Sequence, residues 1–187
     1  MRITDVRTCG LRGATLPGGR SNELEPDDVV HTLIAVHADD GHVGVGSVSS
    51  IEALVRAALD LFKPLLVGEC ALAPERITEK LHQSSFWRGR GGAVTHMISG
   101  IDIALWDLMG QALDQPVGRL LGGRHRQSVL PYASVLFEDC ETLTDGLRCL
   151  AQLGFRAFKI GWGHFGRIDQ RTDEGIVACA RSAIGDR

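Results

Sequence analysis

Lys159 is the side chain best suited to chemistry in this 187-residue chain, within the apolar run Phe155-Arg156-Ala157-Phe158-Lys159-Ile160-Gly161. Side chains alternate faces along a strand, so Phe158 and Ile160 suit a face covered by helices, and Ala157 and Lys159 the opposite one. Lys159 stands near the carboxyl end of its strand, where parallel βα architectures build active sites. A partly desolvated amine there can take a proton at neutral pH and act as a general base. Taken alone, a strand-end lysine reads as a solvated side chain, so its surroundings must decide. Trp162-Gly163-His164-Phe165-Gly166 follows directly, which makes His164 a candidate for substrate contact in a complete barrel.

Other polar groups are less promising. Asp102 and Asp107 look like a carboxylate pair, but five residues of helix turn them about 140° apart. They cannot share a metal or a substrate, and a structural role between the helix and its neighbours is expected. His31 and His37 share a strand face but lie about 20 Å apart along it, too far to chelate one ion. Arg88-Gly89-Arg90-Gly91-Gly92 reads either as a backbone cradle for an anion or as a Gly-rich approach to a helix. Glu138 and Asp139 read as loop residues. The five cysteines (Cys9, Cys70, Cys140, Cys149 and Cys179) are odd in number and lack C-x-x-C spacing, so reduced thiols are expected.

The elements that must position these groups follow from patterning. Residues 2–9 form a strand candidate, and a Gly- and Pro-rich loop covers 13–28. Residues 29–36 are β-branched and apolar, and Asp39-Asp40-Gly41 turns the chain into 42–46, an antiparallel hairpin. Ser49 and Glu52 have capping-box spacing, opening a helix from about 51 to 66. Pro74 suits the first turn of a second helix, to about 83. Val94, Met97, Ile98, Ile101, Ala104, Leu105, Leu108 and Ala112 form the apolar stripe of a third helix, which Asp114 and Pro116 end. After Gly123 the pattern becomes strand 128–137, helix 142–153, strand 155–161 and helix 169–183, the rhythm of parallel βα units.

Net charge is −3 without a long run of one sign, so no nucleic-acid partner is expected. No apolar run approaches bilayer length, and Arg2 and Asp5 argue against a signal peptide. The chain reads as soluble and cytoplasmic, without a membrane partner.

The run Ile98-Ser99-Gly100-Ile101-Asp102-Ile103-Ala104-Leu105-Trp106-Asp107, with Gly110, Pro116-Val117 and Leu120-Leu121-Gly122-Gly123, closely resembles the helix signature of the mandelate racemase/muconate lactonizing branch of the enolase superfamily. Met97 stands where that family usually has a small residue. The resemblance implies an α+β capping domain over 1–123, a small antiparallel sheet plus helices. Residues 124–187 would then be the first two βα units of a (β/α)₈ TIM-type barrel, incomplete because a closed barrel takes eight such units in roughly 250 residues.

What the resemblance implies for function is a magnesium-dependent enzyme that abstracts the α-proton of a small-molecule carboxylate. Lys159 aligns with the second lysine of the family's Lys-x-Lys motif, the α-proton base, while Ala157 replaces the first. Tyr132-Ala133-Ser134 resembles the first barrel strand, with Ser134 at the mouth as a substrate contact or an ordinary strand serine. Arg20, in the loop matching the mobile flap, could grip a second carboxylate or a polyol acid, or be solvated. The family's acidic magnesium ligands come from later strands, so no metal ligand is assigned to this chain. The expected activity is acid-sugar dehydration, with racemase or cycloisomerase as alternatives and a catalytically inactive truncated fragment as another. Homo-oligomers are implied as well.

Overall fold

The structure is a computed structural model and describes residues 1–12, 29–136, 139–161 and 165–185. The described residues fall into two compact units, one running to His125 and the other starting at Arg126. Each has a hydrophobic cluster of its own.

In the first unit, β1 (Ile3–Arg12), β2 (Val29–Ala38) and β3 (Val43–Val48) form an antiparallel sheet in the order β1-β2-β3. Alternation along β2 buries Thr32, Ile34, Val36 and Ala38 on one face. In β1 the register shifts between Ile3 and Asp5, which re-phases the strand so that Ile3 and Val6 both face inward. Thr32, the buried polar residue of β2, donates its hydroxyl to the Ser50 carbonyl at 2.8 Å.

Helices α1 (Glu52–Leu66) and α3 (Gly92–Leu113) pack on the sheet, α2 (Pro74–Ser84) packs against these two helices, and the single turn α4 (Val117–Leu120) follows α3. The α3 stripe Met97, Ile98, Ile101, Ala104, Leu105 and Leu108 is fully buried, as its spacing predicts. Asp114 takes a left-handed conformation (φ 49°) and ends the helix, while the Gln115 N–H returns to the Gly110 carbonyl at 3.0 Å. The helix lies against β3 at glycine distance: a Cβ on Gly46 would overlap the Gly100 carbonyl oxygen, and one on Gly44 the Ala104 carbonyl oxygen.

In the second unit, β4 (Ala133–Leu136) and β5 (Phe158–Gly161) pair in parallel, joined through the crossover helix α5 (Cys140–Gln152). Helix α6 (Gln170–Ile184) follows β5. Leu143 and Leu147 of α5 and Ile176 and Ala180 of α6 form the core, with Val135, Phe158 and Ile160 packed on it.

Three expectations are corrected. Ser49 and Glu52 do not make a capping box: α1 starts at Glu52 with Ile51 as N-cap and no side-chain cap bond. Glu52 instead accepts the Thr8 hydroxyl at 3.3 Å. The first strand of the second unit is not 128–137 but Ala133–Leu136, and Val129 and Leu130 lie exposed before it. Cys140 and Cys179 are not thiols but a disulfide, leaving Cys9, Cys70 and Cys149 free. Among the described residues no helix is long and apolar enough to cross a membrane.

Candidate functional site

Ser134 and Lys159 stand directly opposite each other in the parallel β4–β5 ladder, in a register running from Ala133↔Phe158 to Leu136↔Gly161. The ladder is extended below by the Ala133 N–H, which donates to the Ala157 carbonyl at 2.9 Å. Phe158 and Ile160 turn to the α5–α6 core, and so does Val135. Alternation therefore puts Ser134 and Lys159 together on the face away from the helices, where both are exposed. A hydroxyl and an amine on neighbouring strands, about 5 Å apart at the backbone, can address adjacent groups of one ligand. The amine is in solvent, so the partial desolvation expected for a base is not provided by the described residues. Arg20, His164 and Glu138 lie outside the described residues.

Asp139, read from sequence as a loop residue, is the N-cap of α5. Its carboxylate accepts the Glu141 N–H at 3.0 Å, the Thr142 N–H at 2.9 Å and the Thr142 hydroxyl at 2.8 Å. The Thr142 backbone bond, then its hydroxyl, hold this carboxyl below the usual carboxylate range. Asp169 caps α6 through the Thr172 N–H at 2.7 Å and is lowered for the same reasons. Both fit the cap signature of Asp with Thr three residues on, which the sequence displays as Asp139–Thr142 and Asp169–Thr172. Each cap thus fixes the start of a helix packed behind the Ser134–Lys159 strands.

The remaining polar candidates serve the fold. Asp102 accepts the Thr78 hydroxyl at 2.7 Å, and Asp107 accepts the Val45 N–H at 2.8 Å, so the two do not converge. The Arg88 and Arg90 guanidinium groups lie over the Phe62 and Phe86 rings, at 5.4 and 5.7 Å. His31 is exposed, and His42 lies 3.1 Å from Asp40. A cleft of about 370 Å³ lined by Phe158, Ile160, Phe165, Val177 and Ala180 opens on the helix side of β5, the opposite face from Lys159.

Among the described residues no three His, Cys, Asp or Glu side chains gather as a metal site. The magnesium ion that the sequence resemblance implies therefore has no ligand set among the described residues.

Comparison with known proteins agrees with the fold. The family model "Mandelate racemase / muconate lactonizing enzyme, N-terminal domain" matches residues 27–122. A D-galactarolactone cycloisomerase from Agrobacterium fabrum is 32% identical over 190 residues, covering 99% of this chain and 49% of that protein. A D-galactonate dehydratase from Pectobacterium atrosepticum is 32% identical over 161 residues, covering 82% of this chain and 42% of that protein. The crystal structure of a 3,6-anhydro-D-galactonate cycloisomerase from Zobellia galactanivorans superposes with a TM-score of 0.84 at 28% identity, covering 99% of this chain and 48% of that one. This chain spans about half the length of the curated relatives it matches. With the capping sheet and helices in the first unit and the opening parallel strands of the barrel in the second, it belongs to the mandelate racemase/muconate lactonizing enzyme family of the enolase superfamily.

Proposed function

We propose that these residues form the capping unit and first two βα units of an enzyme that enolises a carboxylate substrate, an acid-sugar dehydratase. Lys159 is the general base, Ser134 a substrate contact beside it, and Arg20 and His164 further contacts. One observation carries this reading: Ser134 and Lys159 are register partners on the face of β4–β5 opposite the α5–α6 core. The named substrates of the relatives, galactarolactone, galactonate and anhydrogalactonate, support an acid sugar.

In the proposed reaction the Lys159 amine takes the proton on the carbon next to the carboxylate. The C–H electron pair moves into the carboxylate, giving an enediolate. Collapse of the enediolate expels the β-hydroxyl, which leaves as water after gaining a proton, so dehydration is redox-neutral. A cycloisomerase shares the first step and differs in where the electron pair goes next. That alternative is supported by the cycloisomerase relative that matches 99% of this chain. Self-association into homo-oligomers belongs to the same reading.

The test is solvent exchange. The natively expressed protein, loaded with magnesium, is incubated in D₂O with D-galactonate, D-galactarate and D-galactarolactone. Deuterium at the α-carbon of recovered substrate, or at C3 of a 2-keto-3-deoxy product formed by dehydration, supports the base. Accompanying loss of water identifies a dehydratase, and a rearranged lactone identifies a cycloisomerase. Neither exchange nor product formation with any of the panel, together with a native mass of 20.2 kDa and no bound magnesium, overturns the enzyme reading in favour of an inactive capping-domain protein.

A further inference from the structure

We propose that the Cys140–Cys179 disulfide is a redox-modifiable staple, opened and closed by exchange with small thiols, that clamps α5 to α6 behind the two parallel strands. The two Cα atoms are 5.8 Å apart, a separation that a disulfide spans without backbone movement. Cys140 is the first residue of α5 and is exposed, whereas Cys179 is half-buried, one position before the core residue Ala180. Exposure of one of the two cysteines favours exchange with thiols in solution. The α5 N-terminus does not add to this, because Asp139 already occupies its Glu141 and Thr142 N–H groups.

The bridge adds a covalent link to two helices that already share one hydrophobic cluster. Among the described residues that cluster consists of Leu143, Leu147, Ile176 and Ala180, so a link between α5 and α6 bears directly on it. The bridge closes a loop across 39 positions of sequence. That loop contains α5 and β5, and therefore Lys159. Opening the bridge loosens the packing behind the strand pair while leaving the β4–β5 hydrogen bonds in place.

The exchange balances without a metal. A glutathione-class thiolate attacks the Cys140 sulfur, the protein S–S bond breaks, and Cys179 leaves as a thiolate that takes up a proton. A second thiol attacks the outer sulfur of the mixed disulfide and releases Cys140. Two thiols are thereby oxidised to one small disulfide, and the protein cystine is reduced to two thiols. The reverse reaction uses the small disulfide as oxidant.

The purified protein is equilibrated in glutathione buffers of graded reduced-to-oxidised ratio, trapped with iodoacetamide and mapped as non-reduced peptides. The linked Cys140–Cys179 peptide is expected to rise with the oxidised fraction and to vanish in reduced buffer, while Cys9, Cys70 and Cys149 label without reductant. Reduction is expected to lower the second unit's melting temperature by about 10 °C. Cys179→Ser is expected to melt at the reduced temperature in both buffers, and Cys149→Ser to keep the shift. The proposal is overturned by absence of the linked peptide at every ratio, by its survival at every ratio, or by equal melting of the two redox states. The peptide map is read on the unmutated protein, so it stands even if a variant does not fold.

Discussion

The Asp107 carboxylate on α3 accepts the backbone N–H of Val45 on β3 at 2.8 Å. Gln111, one helical turn on, donates to the same carboxylate at 2.9 Å and to the Val43 carbonyl at 3.0 Å. Residues 43 and 45 point the same way along the strand, and β3 has β2 on its other side. The two side chains therefore occupy hydrogen-bonding positions on the free edge of the sheet, where another strand would otherwise bind.

Asp107→Ala leaves the Val45 N–H without its partner and is expected to cost about 1–2 kcal/mol. Asp107→Asn keeps an acceptor oxygen and is expected to cost less. Denaturant titration gives both values. Light scattering should show earlier aggregation for the alanine variant, because an opened edge recruits other strands. Equal stability of the two variants would mean that the edge bonds are replaced by water without loss.

Two glycines should respond in opposite directions. Gly46→Ala drives a methyl group into the Gly100 carbonyl oxygen, and separating β3 from α3 is expected to cost about 2–3 kcal/mol. Gly146 lies inside α5 and is exposed, with nothing within 4 Å of an added Cβ. Gly146→Ala is expected to stabilise by about 0.5–1 kcal/mol through helix propensity alone. Chemical denaturation of the two variants side by side reads both effects.

Acid should destabilise the first unit through two carboxylates. Asp5 is held well below its ordinary 3.8, first by its hydrogen bond to Lys63 and then by that to Arg7. Glu69 is lowered from 4.5, by Lys80 first and Arg76 second. A carboxyl depressed in the fold stabilises it fully above its unfolded value, and this contribution fades as pH falls toward the folded value. Stability is therefore expected to fall from about pH 4.5 downward and to be flat above pH 6, with both pairs partly exposed and so screened by salt. Asp5→Asn together with Glu69→Gln should flatten the acid limb in denaturation curves taken across that range.

Much of this arrangement is legible in the sequence, and the exceptions share a cause. The α3 stripe announces itself because burial imposes a helical period on every core position from Met97 to Leu108. The separation of Asp102 from Asp107 follows from helix geometry alone. Ser49 and Glu52 mislead because capping-box spacing is local, whereas Glu52 is claimed by Thr8, 44 positions away. Val129 and Leu130 look like a strand by composition, but among the described residues no partner strand reaches them, since pairing starts at Ala133. The Cys140–Cys179 bridge carries no spacing signal at all, because only the packing of α5 on α6 brings the two residues together. On β5, alternation alone assigns Lys159 its face, whereas its register with Ser134 depends on how the two strands pair.

Substitutions at that pair can separate a base from a mere cation. Arginine keeps the positive charge of Lys159 but remains protonated at any accessible pH, so it can anchor a carboxylate and cannot remove a proton. In the magnesium-loaded natively expressed protein, Lys159→Arg is expected to lower α-proton exchange by about 10²–10⁴-fold. If Lys159 only holds the substrate carboxylate, the arginine variant should keep most of the exchange. Ser134→Ala removes one neutral hydrogen bond beside the amine, worth about 1 kcal/mol. It is expected to raise KM about fivefold and leave kcat nearly unchanged. A large loss in kcat for Ser134→Ala would place the hydroxyl in proton transfer and make the two residues one unit.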